Sequence, residues 1–105
     1  MQLNGWQVAA ELVAQFTVKH FDKSSLRDPF HAACRHALCC VDLQDQGTAA
    51  ELAAAIIYFV TSNLTGDATV EEVASWAGVD VARVNACFDE CVDEHSEAII
   101  EKLWG

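Results

Sequence analysis

Cys87, Cys91 and His95 follow one another at intervals of four, a spacing that stacks side chains along one face of an α-helix. Thiolate and imidazole are the ligands zinc prefers, and a closed structural site needs four of them. The fourth would have to come from His31, Cys34, His36 or Cys40, in the stretch HAACRHALCC. The spacing is not a C-x-x-C knuckle, and small thiols packed beside Phe88 and Val92 account for it equally well. No metal and no cofactor are therefore expected, with Cys87, Cys91 and His95 kept as an alternative set. The vicinal pair Cys39-Cys40 supplies the chemistry of a thiol or soft-metal sensor, against the simpler reading of buried packing.

Enzymatic groupings are missing. A Cys–His nucleophile needs a depressed thiol pKa and a defined cleft, neither of which a sequence supplies. There is no glycine-rich phosphate loop and no pair of carboxylates in an apolar setting. The expectation is a protein that binds rather than one that catalyses.

Charge carries the stronger signal. The chain has 105 residues and a formal net charge of −10. Residues 1–41 hold four basic and three acidic residues, whereas residues 42–105 hold two basic and thirteen acidic. Lys19, Lys23, Arg27 and Arg35 form a basic strip, suited to an anion or nucleic acid. Glu71, Glu72, Asp89, Glu90, Asp93 and Glu94 form an acidic set, suited to a partner with a basic surface. An acid-rich, lysine-poor surface is also an adaptation to high salt, and would then say nothing about partners.

These residues need elements to hold them. Hydrophobic residues make up 52 % of the chain, with one proline and five glycines, a composition for helices with one core. Trp6, Ala9, Val13 and Phe16 recur at helical spacing and predict a first helix from about Trp6 to His20. Asp28-Pro29 reads as an N-cap followed by proline at the first helical position, opening a second helix to about Leu43. Thr48-Ala-Ala-Glu51 is a capping box for a third helix, AAELAAAIIYFVTSN, apolar nearly all round and so central. Thr69-Val-Glu-Glu72 caps a short fourth helix that stops near Gly78. Asp80 caps a long fifth helix, from Val81 to about Leu103. The expected fold is all-α: a single five-helix bundle containing a helix-turn-helix-like segment at 69–92.

That segment has an alanine, Ala74, four residues before a turn glycine, Gly78, with Val70, Val73, Ala77, Val79, Val84 and Cys87 or Phe88 at holding positions. Close crossing of two helices needs a small residue in the first and a φ-permissive residue at the turn. Over residues 48–92 the order of an alanine-rich helix and a capped helix pair resembles the second half of a cyclin-type repeat. Such repeats are found in the general transcription factor TFIIB and its archaeal counterpart, transcription factor B. Repressors of the TetR type share the same local pattern. The resemblance implies a five-helix unit and work in transcription, on DNA that the family's repeats meet with basic surfaces.

This chain departs from that family in two ways. It has room for one repeat where family members carry two, and its reading surface is acidic. Asp80, Val81, Ala82, Arg83, Asn85, Ala86 and Asp89 open the fifth predicted helix, and base edges are read by Arg, Lys, Asn and Gln. Only Arg83 and Asn85 qualify, and phosphate contacts, which supply most affinity, are almost lacking. Carboxylates within a Debye length of about 10 Å would repel a duplex.

The expected function is thus a non-enzymatic acidic module in nucleic-acid-related regulation. It would act through contacts with a basic protein surface, one concrete form being a DNA-mimic inhibitor of phage or plasmid type. The alternatives are a DNA-binding regulator using Arg83 and Asn85, and a thiol or metal sensor. The start MQLNGWQVAAELV has no basic n-region, and Leu52 to Val60 is too short to span a bilayer, so a cytoplasmic protein is expected. Ile99, Ile100, Leu103 and Trp104 gather in the tail, where Trp104 is a candidate anchor for a homodimer.

Overall fold

The computed structural model describes residues 5–40, 49–66 and 68–104. Among them there is no strand, and no helix is long and apolar enough to cross a membrane. Six α-helices follow in order: α1 (Gly5–Phe21), α2 (Arg27–Cys40), α3 (Ala49–Leu64), α4 (Val70–Ala77), α5 (Val81–Cys87) and α6 (Ser96–Trp104). Between α5 and α6 lie a π turn, Phe88–Val92, and a 3₁₀ turn, Asp93–His95.

The all-α expectation agrees with this architecture, and the five-helix count does not. The predicted fifth helix is broken after Cys87, where Asp93 N–H reaches back five residues to Phe88 C=O. The cause is visible in the apolar spacing. Val84, Phe88 and Val92 are four apart, and on a helix of 3.6 residues per turn each such step drifts by about 40°. Val84 and Val92 are fully buried and Phe88 packs on Phe59, ring centroids 5.5 Å apart. A π turn winds more residues into each turn, which keeps all three pointing at the core. Beyond it α6 turns Ile99 and Leu103 inward.

The opening of α2 also differs from expectation. It starts at Arg27, so Asp28 is a first-turn residue rather than the N-cap, and Pro29 is the third helical residue. Ser24 does the capping: its hydroxyl accepts from Leu26 N–H at 3.0 Å, and its carbonyl accepts from Arg27 N–H at 3.2 Å. Proline is tolerated there because first-turn N–H groups have no intrahelical acceptor in any case.

α3 is the axis of the bundle. Its residues Leu52 through Ile57 are all buried, together with Ala49, Val60 and Thr61, and it touches α1, α2, α4, α5, α6 and the π turn. The alanine run Ala53–Ala55 presents methyl groups where a larger side chain would hold neighbouring helices away. The cap predicted at Thr48 lies outside the described residues.

α4 begins and ends as its sequence dictates. The Thr69 hydroxyl accepts from Glu72 N–H at 3.2 Å. At the other end Gly78 adopts φ 75°, and Val79 N–H and Gly78 N–H donate to Ala74 and Ser75 carbonyls. This closed pair of bonds is the Schellman arrangement, which requires a left-handed residue. A Cβ added at Gly78 would meet nothing within 4 Å, so the penalty for alanine there is conformational alone. Gly78→Ala should therefore lower stability by about 1 kcal/mol, read as a shift in urea midpoint at unchanged slope.

Candidate interaction surface and cleft

α4, the turn Gly78–Asp80 and α5 pack on α3 as a two-helix unit. Ala74 and Val73 of α4 and Val84 of α5 are buried, Val79 is half-buried, and Asp80 Oδ1 accepts from Ala82 N–H at 3.4 Å. On the outside of α5 stand Ala82, Arg83, Asn85 and Ala86. Arg83 is not an idle cation: its Nε donates to Glu51 Oε2 of α3 at 2.7 Å. The Glu51 side chain is 13 % exposed and that of Arg83 65 %, so the bridge runs from the flank of the bundle to its surface. The Glu51 hydrogen bond and charge raise the guanidinium pKa above its ordinary value, and Glu90 and Cys87 add to that effect. This pairing across thirty-two residues of sequence has no local signature in the chain.

The acidic residues are exposed, and they fall into two groups. Glu71 and Glu72 sit in the first turn of α4, where the helix dipole favours carboxylates. Glu72 is close enough to His20 of α1 to act on its charge. Asp89 and Glu90 lie in the π turn and Asp93 and Glu94 in the 3₁₀ turn, with Glu90 acting on Arg83. Among the described residues, Glu94 is the member of this set within ion-pair distance of a basic group, His95 Nε2 at 3.4 Å. The π and 3₁₀ turns thus concentrate four carboxylates into six residues of non-standard helix.

The basic strip is divided as well. Lys19, Lys23 and Arg27 lie around the α1–α2 turn, where Lys23 takes φ 70° and Arg27 Nε is 3.6 Å from Asp28 Oδ1. Arg35 instead lies over the Trp6 ring, 4.8 Å from its centroid. Trp6 and Lys19 are thirteen residues apart on α1, about 20 Å along the axis. The four cations do not form one patch.

Cys87 and His95 lie on either side of the π turn, in α5 and in the 3₁₀ turn. Among the described residues no three of His, Cys, Asp and Glu converge on a point that would hold a metal ion. The side chains of Cys40, Cys91 and Trp104 lie outside the described residues, and with them the vicinal-thiol and Trp104-anchor expectations. Cys34 is fully buried, and burial pushes its thiol well above the ordinary range; Cys39 is exposed. Trypsin cuts at Arg27 and Arg35 place these two thiols on different peptides. Iodoacetamide should label the exposed Cys39 in the native protein without unfolding. Cys34 should be slowed by about a thousandfold or more, the fraction of time a stable domain is unfolded.

A cleft of about 240 Å³ opens between the C-terminal halves of α1 and α3 and the outer side of α4. Phe16 meets the Trp76 ring edge-on at 5.2 Å and stacks on His20 at 4.1 Å. Val73 and Thr61 lie deep in the wall, and Glu72 and His20 are exposed at the mouth. Desolvation lowers the His20 pKa, Lys19 lowers it further and Glu72 partly offsets them. Thr61 is 5 % exposed, and its hydroxyl has no hydrogen-bond partner among the described residues. Its carbonyl, by contrast, accepts from Thr65 N–H, Gly66 N–H and the Thr65 hydroxyl. No periodicity in the sequence marks this cleft; its one local signal is Thr61, the lone polar residue among the buried aliphatic residues of α3.

Comparisons of the chain with protein-family models, with curated proteins and with solved structures return no match.

Proposed function

We propose that the chain is a non-enzymatic acidic interaction module on a helix-turn-helix scaffold of the cyclin/TFIIB-like kind, working in transcription or a related nucleic-acid process. It docks its carboxylates on a basic protein surface and competes there with nucleic acid, as a DNA-mimic inhibitor does. The supporting observation is the Arg83–Glu51 bridge. It pairs the one cation of α5 with a carboxylate of α3, so the exposed face of the helix pair presents carboxylates, small side chains, Asn85 and a guanidinium already neutralised by Glu51. A duplex approaching α5 meets Asp80, Asp89 and Glu90, and gains little counterion release. A basic surface approaching the same place finds charge complementarity that speeds encounter and fixes orientation.

Two measurements on the full chain test this. Selection from a random duplex library at low salt should enrich no sequence. Fluorescence anisotropy should show the chain displacing labelled duplex from the basic DNA-binding protein it captures, with an effect that fades as salt rises. Enrichment of a defined duplex whose tight binding is lost in Arg83→Ala would overturn the reading in favour of a DNA-binding regulator.

A further inference from the structure

The geometry points to a second, separate site: the cleft between α1, α3 and α4 binds a small aromatic amine whose ring carries a hydroxyl. Three features define that class. The ring is set by the walls, since Phe16, Val73 and Trp76 offer aromatic and aliphatic surface around about 240 Å³, room for one ring and a short arm. The amine is set by the mouth, where Glu72 supplies the carboxylate in the wall. A cation is drawn there by a chain of formal charge −10, with Lys19 near His20 but not in the wall. The ring hydroxyl is set by the deep wall. There the Thr61 hydroxyl is buried without a partner among the described residues, a state that is costly unless something completes it.

Polar groups at two depths with an apolar stretch between them are the complement of a molecule polar at both ends of a ring. Back-bonding would normally occupy a helical threonine, as Thr17 shows by donating to Val13 C=O at 2.7 Å. Thr61 does not do this, although it stands on the same kind of buried helix face. Neither end of this site depends on the Asp89–Glu94 carboxylates, so it stands or falls apart from the docking reading.

The test uses the ¹⁵N-labelled full chain at pH 7 and four probes: tyramine, 2-phenylethylamine, tyrosol and 4-hydroxyphenylacetate. Tyramine should bind saturably, with Kd roughly millimolar or tighter, and shift the amides of Phe16, Thr61, Val73 and Trp76 most. Loss of the ring hydroxyl in 2-phenylethylamine should weaken binding about tenfold, and so should loss of charge in tyrosol. The anion 4-hydroxyphenylacetate should bind worst. In Thr61→Val the two amines should bind alike, and in Glu72→Gln tyramine should fall to the level of tyrosol. The wild-type series alone decides the matter if either variant fails to fold. Equal affinity for all four probes, no saturation by tyramine, or shifts centred on other residues would overturn the assignment.

Discussion

Truncating Ile56 to alanine will remove about 3 kcal/mol of folding stability and lower the melting temperature by roughly 15 °C. Ile56 is fully buried near the middle of α3, the helix that five other helices and the π turn share. Removing its outer carbons forfeits their transfer energy and leaves a cavity, and the cost grows with the volume that cannot collapse. Collapse is restricted here. Its neighbours Ala53, Ala54 and Ala55 end at Cβ and have no rotamer with which to fill the space, while α3 is held from every side. Against a total stability of about 5–15 kcal/mol for a domain of this size, the loss is large but not fatal. Ile56→Val, which removes one methyl group, should cost about 1 kcal/mol and calibrates the series. A cost below 1 kcal/mol for Ile56→Ala, measured by urea unfolding, would mean that α3 is not the axis of the bundle.

The centrality of α3 was legible because composition alone forces it: a helix apolar on all sides has nowhere to go but the middle. The ends of α4 were legible for a different reason. Thr69, Gly78 and Asp80 act within three or four residues of themselves, and local hydrogen-bond chemistry is written in local sequence. Ser24 obeys the same logic, but Asp28-Pro29 offers a louder version of the signal four residues on. The break at Phe88 was hidden because DECVDEH is polar enough to pass for the outside of an amphipathic helix. Only the burial of Val84 and Val92 together reveals that a straight helix could not serve both.

The functional residues divide along the same line. Exposure of Glu71, Glu72, Asp89, Glu90, Asp93 and Glu94 follows from their type, since charged side chains are almost never buried unpaired. What each of them faces depends on which helices lie side by side, and no periodicity records that. Hence Arg35 lies over Trp6, about 20 Å along α1 from Lys19, while Arg83 and Glu51 meet across the bundle. The cleft is the extreme case, since its walls come mainly from three helices and its polar lining from two threonines, one histidine and one glutamate.

Neutralising the exposed carboxylates of the docking surface will weaken capture of a basic partner by roughly fiftyfold at about 50 mM salt. The variant is Glu71→Gln, Asp89→Asn, Glu90→Gln, Asp93→Asn and Glu94→Gln, with Glu72 retained so that the cleft keeps its charge. Each exposed charge facing a basic surface is worth about 0.5 kcal/mol at low salt, so five sum to about 2.5 kcal/mol, a factor of roughly fifty to a hundred. The amides match the carboxylates in shape, and none of the five supplies a cap bond: Thr69 and Asp80 do that for α4 and α5. Stability should therefore change only slightly, by the few tenths of a kcal/mol that Glu71 gains from the α4 dipole. The association rate should fall more than the dissociation rate rises, because surface charges act mainly by steering. Raising salt to about 1 M shrinks the Debye length to roughly 3 Å, and there wild type and variant should bind alike. Arg83→Ala should leave capture intact, since that guanidinium only offsets Glu51 and Glu90. A variant that keeps full affinity and an unchanged salt slope would remove the acidic surface from the interface altogether.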